Sequence, residues 1–201
     1  MPNAFLALML KMKSSQVPMQ NLDILVTQSI NGLSGHVGLL DLVMVTVTKI
    51  GVPLLILAVV ASWWVGTNAR SDRHIAVASA LSFAISLALN QIILLMVHRV
   101  RPYDAGVTHL LIARSADPSF PSDHATATFA VVFAYLLALR FSKAFWFFLM
   151  ALLIVFTRVY VGTHYVTDIL GGIATAFIGA AAVRIAYRED TRIDRWVTHI
   201  L

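Results

Sequence analysis

An arginine, a histidine and an aspartate stand between two long apolar runs, in the stretch Thr157-Arg158-Val159-Tyr160-Val161-Gly162-Thr163-His164-Tyr165-Val166-Thr167-Asp168. With a helix beginning at Thr163 as its N-cap, His164 and Asp168 lie one turn apart on a shared face. The carboxylate then accepts a hydrogen bond from one imidazole nitrogen and leaves the other free as a nucleophile. Gly162 lets the chain turn and bring Arg158, a bidentate anion binder, over the imidazole. The bland alternative is a membrane helix end whose charged residues reach for water.

Two further clusters change that balance. In His98-Arg99-Val100-Arg101-Pro102 the proline ends a helix and presents Arg101 at its boundary. In Pro121-Ser122-Asp123-His124-Ala125-Thr126, Ser122 is a good N-cap. The free N–H groups behind it, with the helix dipole, make an anion site, and His124 sits in the first turn. Phosphoryl transfer uses such a set. Arg101, Arg158, Ser122 and the backbone N–H groups of Asp123 and His124 would hold the phosphoryl oxygens. His164 would attack phosphorus while Asp168 holds its tautomer, and His124 would protonate the leaving oxygen and then activate water.

The elements that must position these residues are membrane helices. Apolar residues make up 59% of the 201-residue chain and charged residues 12%, about half the charge of an ordinary soluble domain. There is no cysteine, which removes disulfides, thiolate metal sites and a cysteine nucleophile. The net charge of +5 sits at membrane boundaries, which argues against a nucleic-acid partner. Residues 5–10 are too short an apolar run to span, and no convincing cleavage site follows. Residues 21–31, with Leu22, Leu25, Val26 and Ile30, read as an amphipathic helix, lying at the interface or packed on the bundle. Residues 36–66 contain Pro53 and end near Trp63-Trp64, and fit either one kinked span or a half-crossing followed by a short one.

Residues 75–97, 122–139 and 165–185 are clear spans, and residues 144–156 form a further apolar run. The expectation is an all-α polytopic transmembrane bundle of five to six spans with an interfacial N-terminal helix. It forms one integral membrane domain, 1–201, with its core motifs at 98–168. Alternation puts Arg70, Arg73, Arg140, Lys143, Arg184, Arg188, Arg192 and Arg195 on one face, and only Arg99, Arg101, Arg114 and Arg158 on the other. The richer face is expected to be cytoplasmic, with the C-terminus, and the three clusters to face outward.

In order and spacing these clusters resemble the type 2 phosphatidic acid phosphatase superfamily. Its pattern is a lysine seven residues before Arg-Pro, then Pro-Ser-Gly-His, then Ser-Arg-x5-His-x3-Asp. Arg101-Pro102, Pro121-Ser122-Asp123-His124 and Thr157-Arg158…His164…Asp168 match it. The resemblance implies a helical bundle with an outward site that forms a phosphohistidine without metal or other cofactor, through the roles just assigned. Three positions depart. Leu94 replaces the lysine, and His98, on one helical face with 94 and 101, would partly substitute. Thr157 keeps the serine hydroxyl. Asp123 replaces glycine, which repels a phosphate unless it points away or is protonated, or else sits favourably in the first turn.

With Ser115-Ala116-Asp117-Pro118-Ser119-Phe120-Pro121, that aspartate looks like the bacterial bacitracin-resistance type undecaprenyl-diphosphatases. Such a likeness implies undecaprenyl diphosphate as substrate, recycling of the cell-wall lipid carrier at a bacterial inner membrane, and the bilayer as surroundings. The alternatives within the fold are phosphatidate, phosphatidylglycerophosphate or lipid A phosphatases. A small transporter is an alternative of another class, but its ionisable groups would be expected near the midplane. A metal hydrolase built on Asp123, His124, His164 and Asp168 is a third, in which Arg101 and Arg158 would crowd the cation. Asn90 and Gln91 are expected to bond a neighbouring helix. Arg114 and Asp117 are candidates for diphosphate or loop-ordering contacts.

Overall fold

A computed structural model describes residues 20–65 and 69–199; the run at 5–10 lies outside them. The described residues form α1 (residues 20–31), α2 (Gly38–Ala61), α3 (Ala69–Met96), α4 (Asp123–Leu137), α5 (Phe141–Tyr160), α6 (Val166–Ala186) and α7 (Arg192–Thr198). α2, α3, α5 and α6 are long and apolar enough to cross a bilayer, and α4 is a shorter apolar helix of 15 residues. At roughly 1.5 Å per residue α4 falls short of a hydrocarbon core. It is packed between α3, α5 and α6 and buried along most of its length, so its short run meets protein more than lipid. Residues Gly38–Ala61 form one continuous helix, long and apolar enough for a single crossing, with Pro53 inside it.

Large apolar side chains cover the outer faces of the helices, and the interior combines an apolar core around Leu55, Phe129, Tyr135 and Ile154 with small and polar side chains. Leu57, Leu95, Trp146 and Ile178 are exposed, whereas Ser79, Ser82, Ser86 and Asn90 form a buried stripe on α3. Small residues let backbones approach where lipid supplies no hydrophobic drive between helices. At Gly172 of α6 a Cβ would lie 2.6 Å from the Ser122 carbonyl oxygen and 2.8 Å from the Ala125 Cβ. That bare backbone admits the N-terminus of α4, which carries His124.

α1 is amphipathic, as the sequence suggests, and the structure decides which face meets the bundle. Asp23, Thr27 and Asn31, four residues apart, are the buried stripe, while Leu22 and Leu25 stay about 60% exposed (61% and 60%). Of Leu22, Leu25, Val26 and Ile30, only Ile30 packs on the core. The helix packs on the bundle by its polar side, because what it covers is polar: a loop, a turn and a helix N-terminus. Asn31 accepts from the His109 amide (2.7 Å) and donates to the His109 and Tyr160 carbonyls (2.9 and 2.8 Å). The connection between α3 and α4 is thereby fastened to the turn between α5 and α6. Thr108 Oγ1 also donates to the Gly162 carbonyl at 2.8 Å. Gly162 has φ +82°, and a Cβ there would run into the His109 carbonyl oxygen.

Candidate active site

The three clusters meet at one end of the bundle. Arg101, Asp117, Asp123, His124, Arg158 and His164, with Leu94, line a cavity of about 220 Å³. His164 belongs to the turn before α6, whose N-cap is Tyr165 and not Thr163. The Asp168 carboxylate accepts from the Tyr165 amide (2.8 Å) and takes the capping role, while the Thr163 hydroxyl donates to the Arg158 carbonyl (2.8 Å).

His164 is 3% exposed. Its Nδ1 lies 2.8 Å from the Ser119 carbonyl oxygen and 3.5 Å from Asp168 Oδ2. A carbonyl only accepts, so Nδ1 carries the proton and Nε2 the lone pair. Nε2 lies 3.4 Å from Arg101 Nη1. The Ser119 carbonyl therefore sets the tautomer, with Asp168 behind it, whereas spacing alone assigns that role to Asp168. Burial pushes the His164 imidazolium pKa below its ordinary value. Asp168 opposes this, and Arg158 and Arg101 add to it. The ring is thus held neutral, the form that can attack.

Asp168 is fully buried. Besides the Tyr165 amide it accepts from Ser119 Oγ (2.5 Å) and from Arg99 Nη1 (2.6 Å). Arg99, Ser119 and the α1 residue Asp23 are not among the site residues expected from sequence. Ser119 falls inside the stretch 115–124 without a role of its own, and the visible signal for α1 is the four-residue spacing of its polar residues.

Arg101 donates from Nε to the Asp117 carbonyl (2.8 Å) and from Nη1 to the Thr163 carbonyl (3.2 Å), which fixes it as a wall of the cavity. Arg158 donates to Thr48 Oγ1 at 2.8 Å, and its Nε is buried without a partner. Ser122 precedes α4 in extended conformation, yet its hydroxyl makes no capping bond and is also buried without a partner. Unpaired buried polar groups are costly. Two of them beside a two-arginine cavity fit a site shaped for an anion. Ser122 lies behind the cavity wall, between its lining residues Pro121 and Asp123.

One expectation changes, and the alternatives for Asp123 narrow. α3 ends at Met96, so His98 does not continue its face; the side chain is exposed and off the cavity wall. Asp123 Oδ1 is held by Asn90 Nδ2 (2.6 Å) and Gln91 Nε2 (3.3 Å), which are its α3 partners. Arg114 pairs with Asp104 at 2.9 Å and orders the loop. The carboxylates considered for a metal are engaged by protein donors. Among the described residues no three His, Asp or Glu side chains are grouped to hold an ion.

The sequence profile of the PAP2 superfamily matches residues 75–192, more than half of the chain. The chain belongs to the PAP2 superfamily. It is 38% identical to the undecaprenyl-diphosphatase BcrC of Bacillus subtilis over 152 residues, covering 75% of this chain and 77% of BcrC. It is 31% identical to YbjG of Escherichia coli over 137 residues, covering 68% and 67%. A crystal structure of a transmembrane PAP2-type phosphatidylglycerolphosphate phosphatase from Bacillus subtilis superposes with a TM-score of 0.62 at 21% identity, covering 87% and 89%. That likeness establishes a shared helical membrane fold.

Within the PAP2 pattern, Leu94 fills the lysine position as a buried apolar part of the cavity wall. Thr157 donates its hydroxyl to the Ile154 carbonyl of its own helix (2.6 Å). The family's glycine position, Asp123, is tied to α3.

Proposed function

We propose that this membrane phosphatase hydrolyses undecaprenyl diphosphate to undecaprenyl phosphate and inorganic phosphate, through a phosphohistidine on His164. One observation carries the reading. The anion cavity shares Asp123 and His124 with an open, mostly apolar groove of about 360 Å³, lined also by Val52, Phe83, Leu87 and Ala127. A substrate with a phosphate head and a hydrocarbon chain fits both at once. The diphosphatase name of BcrC supports the headgroup.

Arg101 and Arg158 hold the oxygens of the terminal phosphoryl group and offset charge as it shifts to the leaving side. His164 Nε2 attacks phosphorus, and the bond to the bridging oxygen breaks with its electrons on the lipid monophosphate. His124, on the opposite helix N-terminus, delivers a proton to that oxygen. It then takes one from water, which attacks the phosphohistidine, releases phosphate and restores His164. Asp123 is proposed to order α4 and α3 and to bear on headgroup preference. Arg70, Arg73, Arg140, Lys143, Arg184, Arg188, Arg192 and Arg195 lie at or beyond the helix ends away from the cavity, which supports a cytoplasmic C-terminus and an outward-facing site at the bacterial inner membrane.

The test is phosphate release from undecaprenyl diphosphate by the purified protein in detergent with chelator present, wild type beside His164→Ala. Turnover by wild type alone supports substrate, nucleophile and metal independence together. Release from phosphatidylglycerophosphate and none from the prenyl diphosphate would overturn the substrate assignment.

A further inference from the structure

Behind His164 runs a line of acidic and basic side chains, Asp168, Arg99 and Asp23, of which the chemistry above uses only Asp168, and it begins outside the matched family region. Asp23, on α1, is 6% exposed. It accepts from Arg99 Nη2 at 2.7 Å, from the Thr167 hydroxyl at 2.6 Å and from the Thr167 amide at 3.0 Å. Arg99 Nη1 meanwhile donates to Asp168 Oδ1 and to Thr167 Oγ1, both at 2.6 Å, and the guanidinium lies 4.0 Å from the centre of the Tyr165 ring. One arginine is thus shared by two buried carboxylates. Neither of them lines the cavity.

We propose that Asp23 is a positioning residue for the nucleophile: by engaging Arg99 it leaves one net negative charge in the buried cluster behind His164. The inference rests on His164 being the nucleophile. As Nε2 bonds to phosphorus while Nδ1 keeps its proton, the ring becomes a cation. On the cavity side Arg101 and Arg158 repel that cation. His124 also faces it, and Asp117 and Asp123 stand on the cavity wall. The Tyr165 phenol, Asp168, Arg99 and Asp23 lie behind. Were Asp23 neutral, Arg99 would cancel Asp168 and the developing cation would lose its compensating charge. Low-polarity surroundings make the loss felt.

A purely structural role is the competing explanation, since Asp23 and Thr27 also satisfy the Thr167 and Val166 amides at the start of α6. The two roles move the acid limb of the rate profile in opposite directions. Loss of charge makes His164 harder to protonate, whereas loosening of α1 admits water and returns the ring toward its ordinary value.

The experiment measures kcat, KM and the pH dependence of kcat/KM for phosphate release from undecaprenyl diphosphate. It compares wild type, Asp23→Asn, Thr27→Ala and His164→Ala, with Asp23→Glu and Asp23→Gln as a pair differing in charge alone. Asp23→Asn is expected to lower kcat roughly tenfold, the scale of coupling within one polar network, with KM within about twofold. Its acid limb moves to lower pH by roughly half a unit. Asp23→Glu restores most of the rate and Asp23→Gln does not, which keeps the test available if Asp23→Asn fails to fold. Thr27→Ala leaves the acid limb in place. An upward shift in Asp23→Asn, the same shift in Thr27→Ala, or equal rates for the Glu and Gln variants would overturn the charge role and leave the nucleophile reading standing. Turnover by His164→Ala would overturn both.

Discussion

Among the described residues are two buried His–Asp pairs, one at each end of the bundle. At the cavity end His164 Nδ1 is 3.5 Å from Asp168; at the other, His74 Nδ1 donates to Asp194 Oδ1 at 2.7 Å. By separation alone the His74–Asp194 pair is the better dyad. Its aspartate also accepts from Tyr187 Oη (2.7 Å) and the Asp190 amide (2.9 Å), and His74 stacks on Tyr187 with centroids 4.8 Å apart. These bonds dock α7 onto α3. What this pair lacks is a cavity wall with two arginines, since the cavity beside it is lined by Arg184 together with the acidic Glu189. The orienting partner also differs. In the cavity pair a carbonyl fixes the tautomer and leaves the carboxylate to Arg99 and Ser119. A His–Asp pair becomes chemical through what faces the other nitrogen.

The largest expected difference between the pairs is in turnover. His164→Ala removes phosphate release by about four orders of magnitude or more, as loss of a covalent nucleophile does. His74→Ala leaves kcat within about threefold and lowers the midpoint of thermal unfolding, since it removes one bond of the α7 anchor. Equal loss of activity in both would erase the distinction. Next come the arginines. Arg158→Ala is expected to cost about 10²–10³ in kcat/KM, the scale of one charge-stabilising donor. Arg184→Ala at the opposite end is expected to leave the rate unchanged, measured by the same phosphate assay.

The two pairs also respond differently to acid. His164 has its pKa lowered by burial, so the folded state resists its protonation. Its contribution to stability is full above the unfolded histidine value of ~6.5 and is lost as pH falls toward the folded value. Wild type is expected to lose stability on acidification through this window, and His164→Gln to lose less, by thermal melts across pH. For Asp194, burial raises the carboxyl, but bonds from Tyr187, His74 and the Asp190 amide outweigh it and hold the pKa below the ordinary aspartate value. Its contribution is present above ~3.9 and lost only in stronger acid. The smallest effect is on Asp194→Asn near neutral pH, a lowered melting midpoint of a few degrees with turnover kept.

Much of the site was legible in the order of residues. Arg101, His124, Arg158, His164 and Asp168 could be assigned because phosphoryl transfer demands those side-chain types, and hydrocarbon excludes them elsewhere. The spans were legible for a related reason, since every backbone group in a bilayer must be bonded within a helix. Ends of elements were harder. Periodicity puts His98 on a helical face with positions 94 and 101, because it does not reveal that α3 stops at Met96. The Thr163 hydroxyl is suited to a cap by its chemistry. Asp168 competed for that role and won it from within α6.

What only the tertiary structure decided is which polar groups meet across elements distant in sequence. α1 shows this best: its amphipathic pattern did not say which face meets the bundle, and Asp23, Thr27 and Asn31 turn in. The N-terminus of α6, the α5–α6 turn and the α3–α4 connection present unpaired amides and carbonyls there, and only a polar stripe satisfies them. The sequence by itself determined a membrane helical bundle and the chemistry its ionisable residues can perform. Distance decided the rest, because a hydrogen bond between Asp23 and Arg99 depends on packing that no local spacing encodes.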